Sequence, residues 1–340
     1  MKLVNLASRV AVITVLGMAE LGCTSSPSVA PTPTSLPAAP TTTPAPTGPL
    51  GVFSGTDRPD LVDDFERWLG HRVGYALDYL GAAAVSSDPW AGIDDPSQRC
   101  VAWARDRRHL VLSVAILPNA RQHLAAGASG EYDAHWGKFG AGLVAAGCAD
   151  ATLRLGWEFN GRFYAWAASG QEAAFAAYWR RIVERLRSVP GQRFTFDWSV
   201  LAGNANADVE AAYPGDDVVD IISLDAYDTS QMQAPDDRWQ DQLDRPYGLR
   251  WHEQFASRHR KRLAFSEWGV VVRPNDALGG GDAPDYIEHM IDWIRSHDVA
   301  YAIYFDVDAR DAAHRISADR FPHAAAAFRK RAVELAGSAV

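Results

Sequence analysis

The chain has 340 residues, 47% of them hydrophobic and 22% charged, an ordinary globular composition that excludes collagen-like, wholly disordered and multi-span membrane chains. Its formal charge is −9, from 33 basic and 42 acidic residues, and no long basic run supplies an electrostatic footprint for nucleic acid. A neutral or weakly charged ligand is expected.

Lys2 and Arg9 precede an apolar stretch from Val10 to Met18, long enough for the core of a secretory signal and too short to span a bilayer. Residues 1–23 therefore read as a signal peptide, and the protein is expected outside the cell. Leu21-Gly22-Cys23 resembles the lipobox of bacterial lipoproteins, in which the cysteine after a small residue receives the lipid. Glu20 stands where an aliphatic residue is usual, so two outcomes stay open: a lipid on Cys23 that anchors the protein without spanning the membrane, or plain secretion with cleavage nearby. Residues 24–49 are almost entirely Pro, Thr, Ser and Ala without charge, a composition that cannot bury apolar surface and reads as a disordered tether. The domain from residue 50 to 340 keeps 31 basic and 41 acidic residues.

Three cysteines are too few for a disulfide-built scaffold. With Cys23 lipidated, Cys100 and Cys148 are left either as one disulfide in an oxidising compartment or as two buried thiols, since each lies in an apolar helical stretch. The ten histidines show no metal-ligand spacing, so neither a metal nor a cofactor is expected.

Short apolar runs rich in β-branched and aromatic residues alternate with longer helix-period segments, the pattern of repeated βα units. Strands are predicted at about Gly51–Phe53, Val73–Leu80, Leu110–Leu117, Thr152–Glu158, Phe194–Val200, Val218–Asp225, Leu263–Glu267 and Ala300–Asp306. Helices are clearest at Tyr132–Ala146, Glu172–Arg187, Asp285–Ser296 and His323–Leu335. Eight such units fit an α/β chain folded as a (β/α)8 TIM barrel. A doubly wound open sheet is weaker, because no G-x-G-x-x-G follows the first strand and no P-loop occurs.

Barrel enzymes place their chemistry at the C-terminal strand ends. Those ends carry Asp78, Glu158, Asp197 with Trp198, Asp225 with Tyr227 just beyond, Glu267 and Asp306. Glu158 lies in R-L-G-W-E-F-N-G, Glu267 in F-S-E-W-G, and strands four and seven face each other across a barrel mouth. Opposed carboxylates there suit a retaining glycosidase, in which one protonates the leaving oxygen and the other attacks the anomeric carbon.

Those two motifs, with D-I-I-S-L-D-A-Y-D at strand six, make the chain resemble glycoside hydrolase family 26 of clan A, whose best-known members are endo-β-1,4-mannanases. The likeness runs from about Gly51 to Asp306. It implies Glu158 as acid/base, Glu267 as nucleophile and Tyr227 as the hydroxyl that hydrogen-bonds the nucleophile. Arg154 shares parity with Glu158 and is a candidate donor to the nucleophile, or else half of a structural ion pair beneath the site. The chain departs from the family in two places: Trp157 stands where histidine usually precedes the acid/base, and Phe305-Asp306 occupies a stretch where tryptophan often ends strand eight. Both bear on substrate choice.

Aromatic residues cluster where a sugar would stack: Trp90, Trp157, Phe163, Tyr164, Trp166, Trp198, Tyr227 and Trp268. Strand-end position favours Trp198 and Trp268 as platforms, while Asn160, Asp225 and Asn204 are candidates for fixing sugar hydroxyls. Asp78 and Asp306 read as rim residues or helix caps. Gly279-Gly280-Gly281 reads as a flexible loop, too far past strand seven for a phosphate cradle.

The expected activity is that of a secreted or lipid-anchored, endo-acting, retaining β-glycoside hydrolase, with β-mannan as default substrate. Another β-glucan, xylan or a bacterial envelope polysaccharide stays open, as does a non-catalytic glycan-binding barrel. The expected partner is a polysaccharide, with no nucleic acid, no membrane contact beyond a lipid anchor, and a monomeric state.

Overall fold

β1 (Leu50–Phe53), β2 (Tyr75–Leu80), β3 (His109–Val114), β4 (Thr152–Leu155), β5 (Thr195–Leu201), β6 (Ile221–Tyr227), β7 (Arg262–Gly269) and β8 (Val299–Phe305) pair in parallel in chain order, and β8 closes on β1. This computed structural model describes residues 48–335 except 82–86, 105, 231, 233, 276–277 and 311. The expected signal peptide, Cys23 and nearly all of the tether lie outside the described residues. No helix among the described residues is long and apolar enough to cross a membrane.

The barrel is the predicted one, strand for strand. Boundaries differ where glycine intervenes: the strand expected to reach Glu158 stops at Leu155, because Gly156 takes a left-handed φ of 57° and turns the chain. Several helices start with proline at the first position, as at Pro59, Pro284 and Pro322, where a missing N–H costs nothing. The helix Glu172–Arg187 buries Phe175, Tyr178, Trp179, Ile182, Val183 and Leu186, an apolar stripe at helical spacing that lies on the barrel wall.

Alternation divides each strand between two environments. Leu77, Val111, Ile221, Ala264, Tyr301 and Ile303 pack inside the barrel, while the larger outer core fills the layer between strands and helices. The inward set turns polar at Ser113, Arg154, Asp197, Ser199 and Asp225, all fully buried. β7 breaks the alternation. Ser223 and Asp225 of β6 pair with Ala264 and Glu267, so β7 holds one extra residue at a bulge. In consequence Ser266 and Glu267 both reach inward partners, Ser266 donating to Asp197 Oδ2 at 2.8 Å and Glu267 accepting from Arg154.

Cys100 and Cys148 are joined, their Cα atoms 5.9 Å apart, so of the two readings the disulfide holds. The bond ties the helix Ser97–Trp103 to the end of the helix Asp133–Ala146 across a separation of 48 residues. Closing a loop of that length constrains the unfolded chain by about 4 kcal/mol. The paired Cys100→Ala, Cys148→Ala variant is therefore expected to melt roughly 10 °C lower, with activity at 25 °C retained. A thermal melt checks this, and an unchanged midpoint would refute it.

Candidate active site

Arg154 projects from β4 into the barrel, and its complete burial demands anionic partners. It has two. Nη1 donates to Glu267 Oε1 at 2.6 Å, and Nη2 donates to Asp225 Oδ2. Ser199 and Ser113 hydroxyls accept from Nε and Nη1 at 3.0 and 3.1 Å, so the guanidinium is held from β3, β5, β6 and β7 together. Burial works to lower its pKa, but the charges of Asp225 and Glu267 outweigh that and hold it well above the ordinary arginine value. For Asp225 burial raises the carboxyl pKa, against the pull of Arg154 and with added repulsion from Glu267.

Glu267 is 7% exposed and accepts two further hydrogen bonds. Tyr227 donates its hydroxyl to Oε2 at 2.6 Å, and Tyr79, at the end of β2, donates to Oε1 at 2.6 Å. Burial and the Glu267 charge drive both phenol pKa values well above 10, so both stay protonated donors. Three donors fix the orientation of this one carboxylate.

Glu158 lies past the strand end, in a turn. Its φ of 51° is a left-handed value that side chains rarely adopt. Two backbone bonds hold it there: its N–H donates to the Ser199 carbonyl at 3.3 Å, and its carbonyl accepts from Gly161 at 2.9 Å. Glu158 and Glu267 line one cavity of about 840 Å³, which also takes in Phe163, Tyr164, Asn204, Tyr227 and Phe305. Phe163 is 60% exposed at its edge. Tyr164 stacks on Trp166 at 4.6 Å, and burial, then the neighbouring Glu158 and Glu267 charges, raises its hydroxyl pKa.

Trp157 is buried in the wall, donating Nε1–H to the Tyr164 hydroxyl at 2.9 Å. Its carbonyl accepts from Trp166, so that indole too is structural. Other expected contacts lie elsewhere. Trp198 and Trp268, the favoured platforms, are wholly buried on the outer face: Trp198 packs against Phe159 and Phe255, and Trp268 against Tyr304 and Phe328. Trp90 stacks on His135 at 4.3 Å, inside the shell. Asn160 is a buried clamp, donating to the Leu201 and Asn204 carbonyls and accepting from the Leu201 N–H, which leaves no donor for a sugar. Asp225 serves Arg154 rather than the cavity.

Asp78 faces outward and accepts from Asp57 N–H and Trp103 Nε1–H at 3.0 and 2.7 Å. Asp306 caps Ser317 through two hydrogen bonds, its pKa pushed up to about 6 by burial. Gly280 and Gly281 donate their N–H groups to the Asp228 and Val271 carbonyls, which makes the glycine run a packed loop. Tyr79 was not among the expected site residues. Its signal was parity, since it shares the inward face with Tyr75 and Leu77 while Asp78 beside it cannot. Among the described residues no group of His, Cys, Asp and Glu could hold a metal ion.

Residues 151–245 match the profile of Glycosyl hydrolase family 26. That segment contains Arg154, Glu158, Asp225 and Tyr227 and ends before Glu267. Similar solved structures include a modular endo-β-1,4-mannanase from Cellulomonas fimi, at 19% identity and a TM-score of 0.61 over 83% of this chain and 70% of that one. A family 26 β-mannanase from Bacteroides ovatus aligns at 15% identity and 0.60 over 86% and 92%. The catalytic domain of an endo-β-1,4-mannanase from Bacillus sp. JAMB-750 aligns at 17% and 0.56 over 83% and 85%. No curated protein sequence matches the chain. At these identities the structures speak for the fold. The family match bears out the resemblance read from the motifs, and the chain is a glycoside hydrolase.

Proposed function

We propose that this glycosidase is an endo-acting, retaining β-glycoside hydrolase with β-mannan as its default substrate. The observation that carries the reading is a carboxylate, Glu267, held by three donors in the same cavity as a second carboxyl group, Glu158. Glu267 Oε2, with one donor against two on Oε1, attacks the anomeric carbon as the glycosidic C–O bond breaks. The bonding pair leaves with the departing oxygen, which takes the Glu158 proton. Water then attacks the same carbon, Glu158 removes its proton, and the C–O pair returns to Glu267 as carboxylate. Mannan and endo action rest on the family match and on a cavity near the upper end of the roughly 300–1,000 Å³ range of ligand clefts.

The same reading places the enzyme outside the cell, tethered through residues 24–49 and either acylated on Cys23 or released. The apolar run before Cys23 and a disulfide suited to an oxidising compartment support it. Reducing-end release by the full chain from mannan, glucomannan, mixed-linkage glucan, xylan and envelope glycans tests the activity, with the product anomer followed by NMR. Cleavage of mannan with first-formed β-anomer is expected. Cleavage of another glycan moves the specificity, an α-anomer removes the double displacement, and binding without cleavage leaves only a glycan-binding barrel.

A further inference from the structure

We propose that Tyr79 is a positioning residue for the nucleophile, fixing Glu267 Oε1 and stabilising the carboxylate when it departs from the glycosyl ester. The proposal rests on the retaining reading above. Its geometry is a 2.6 Å hydrogen bond from a phenol whose ring is fixed edge-on against Phe53 at 4.9 Å and Trp157 at 5.4 Å. The strand end is itself anchored, since the Tyr79 N–H donates to Asp78 Oδ1 at 2.7 Å and Asp78 ties down Asp57 and Trp103. Trp157, the residue that departs from the family, is thus part of the support of Tyr79.

The chemistry follows the charge. In the first step the Glu267 charge is consumed as Oε2 bonds to the anomeric carbon, and Oε1 becomes the ester carbonyl oxygen. In the second step the Oε2–carbon bond breaks, its electron pair returns to Glu267, and negative charge reappears on Oε1, where the Tyr79 O–H and Arg154 N–H are already placed. A donor preorganised at a developing charge accelerates the step in which the charge forms. Removing it therefore slows breakdown of the ester more than its formation. The titratable groups around Glu267 are Tyr79, Arg154, Glu158, Tyr164, Asp225 and Tyr227, with the His314 ring tilted against Tyr227 at 4.6 Å. Of these, Tyr79→Phe removes one neutral donor and no charge.

The test uses the full chain and a dinitrophenyl glycoside of the sugar that wild type cleaves, a substrate whose leaving group makes ester breakdown limiting. For Tyr79→Phe, kcat is expected to fall about 10- to 100-fold, the worth of one hydrogen bond to a charged group, with KM falling alongside as the ester accumulates. A chain carrying 3,5-difluorotyrosine at position 79, whose phenol keeps the hydrogen bond, is expected to hold kcat and KM near the wild-type values. Unchanged kcat and KM in Tyr79→Phe, with wild-type activity intact, overturns the proposal alone. An inactive wild type overturns the retaining reading beneath it. A fall in kcat with KM unmoved marks Tyr79 as merely structural, which also overturns it.

Discussion

Glu267→Ala is expected to abolish turnover on every substrate, a loss of about 10⁵- to 10⁶-fold, the scale on which removing a covalent nucleophile acts. The other carboxyl behaves differently. Glu158→Ala is expected to lose about 10²- to 10⁴-fold on polysaccharide, where the leaving sugar oxygen needs a proton, and far less of the first step on a dinitrophenyl glycoside, whose leaving group needs none. Azide separates the roles by stereochemistry. In Glu158→Ala it attacks the glycosyl ester from the face opposite Glu267, giving a product of retained configuration. In Glu267→Ala it enters from the nucleophile's side and gives the inverted glycosyl azide. NMR of the azide products reads both, and equal loss on both substrate types, with no azide product from either variant, would sink the assignment. The asymmetry has a structural source: Glu267 is buried among three donors, whereas Glu158 is half-buried in a turn at the cavity edge.

The barrel was legible because its elements are local. The helix Glu172–Arg187 appears with the bounds its apolar stripe predicts, and eight β-branched runs become eight strands. Side-chain direction was legible only while alternation held. Simple parity from Asp197 and Ser199 places Trp198 on the outer face, so its strand-end position misled, and the same parity from Tyr75 points to Tyr79 rather than Asp78. At β7 parity itself fails, since the bulge that brings both Ser266 and Glu267 to inward partners arises from pairing with β6, a contact between segments about 40 residues apart. Asn160 shows the other limit. A polar residue two positions after Glu158 suggests a sugar contact, yet the end of β5 and the loop after it bring the Leu201 and Asn204 carbonyls to it and leave no free donor. The cysteine count allowed either thiols or a bridge, and only the approach of two helices decides between them.

Arg154→Met is expected to be the most damaging change to the fold within the site. The guanidinium lies between Asp225 and Glu267, and all three are buried, so its removal strands two like charges without a cation. Breaking such a pair costs about 3–5 kcal/mol. Ionisation then becomes the unstable condition. Burial raises the folded-state pKa of Asp225, and without Arg154 nothing cationic opposes that rise, so the folded variant binds more protons than the unfolded chain. Stability must therefore fall as pH rises through the raised folded-state value, and return as pH drops toward the unfolded one. Urea unfolding between pH 5 and 8 is expected to show the variant weakening with rising pH relative to wild type. Arg154→Met with Asp225→Asn, which removes one of the stranded charges, is expected to recover part of the loss and flatten that slope. Activity is not expected to recover with it, because Glu267 still lacks the donor on Oε1 that Arg154 supplied. A pH-independent loss of stability would mean that packing of the long side chain, rather than its charge, is what the barrel interior requires.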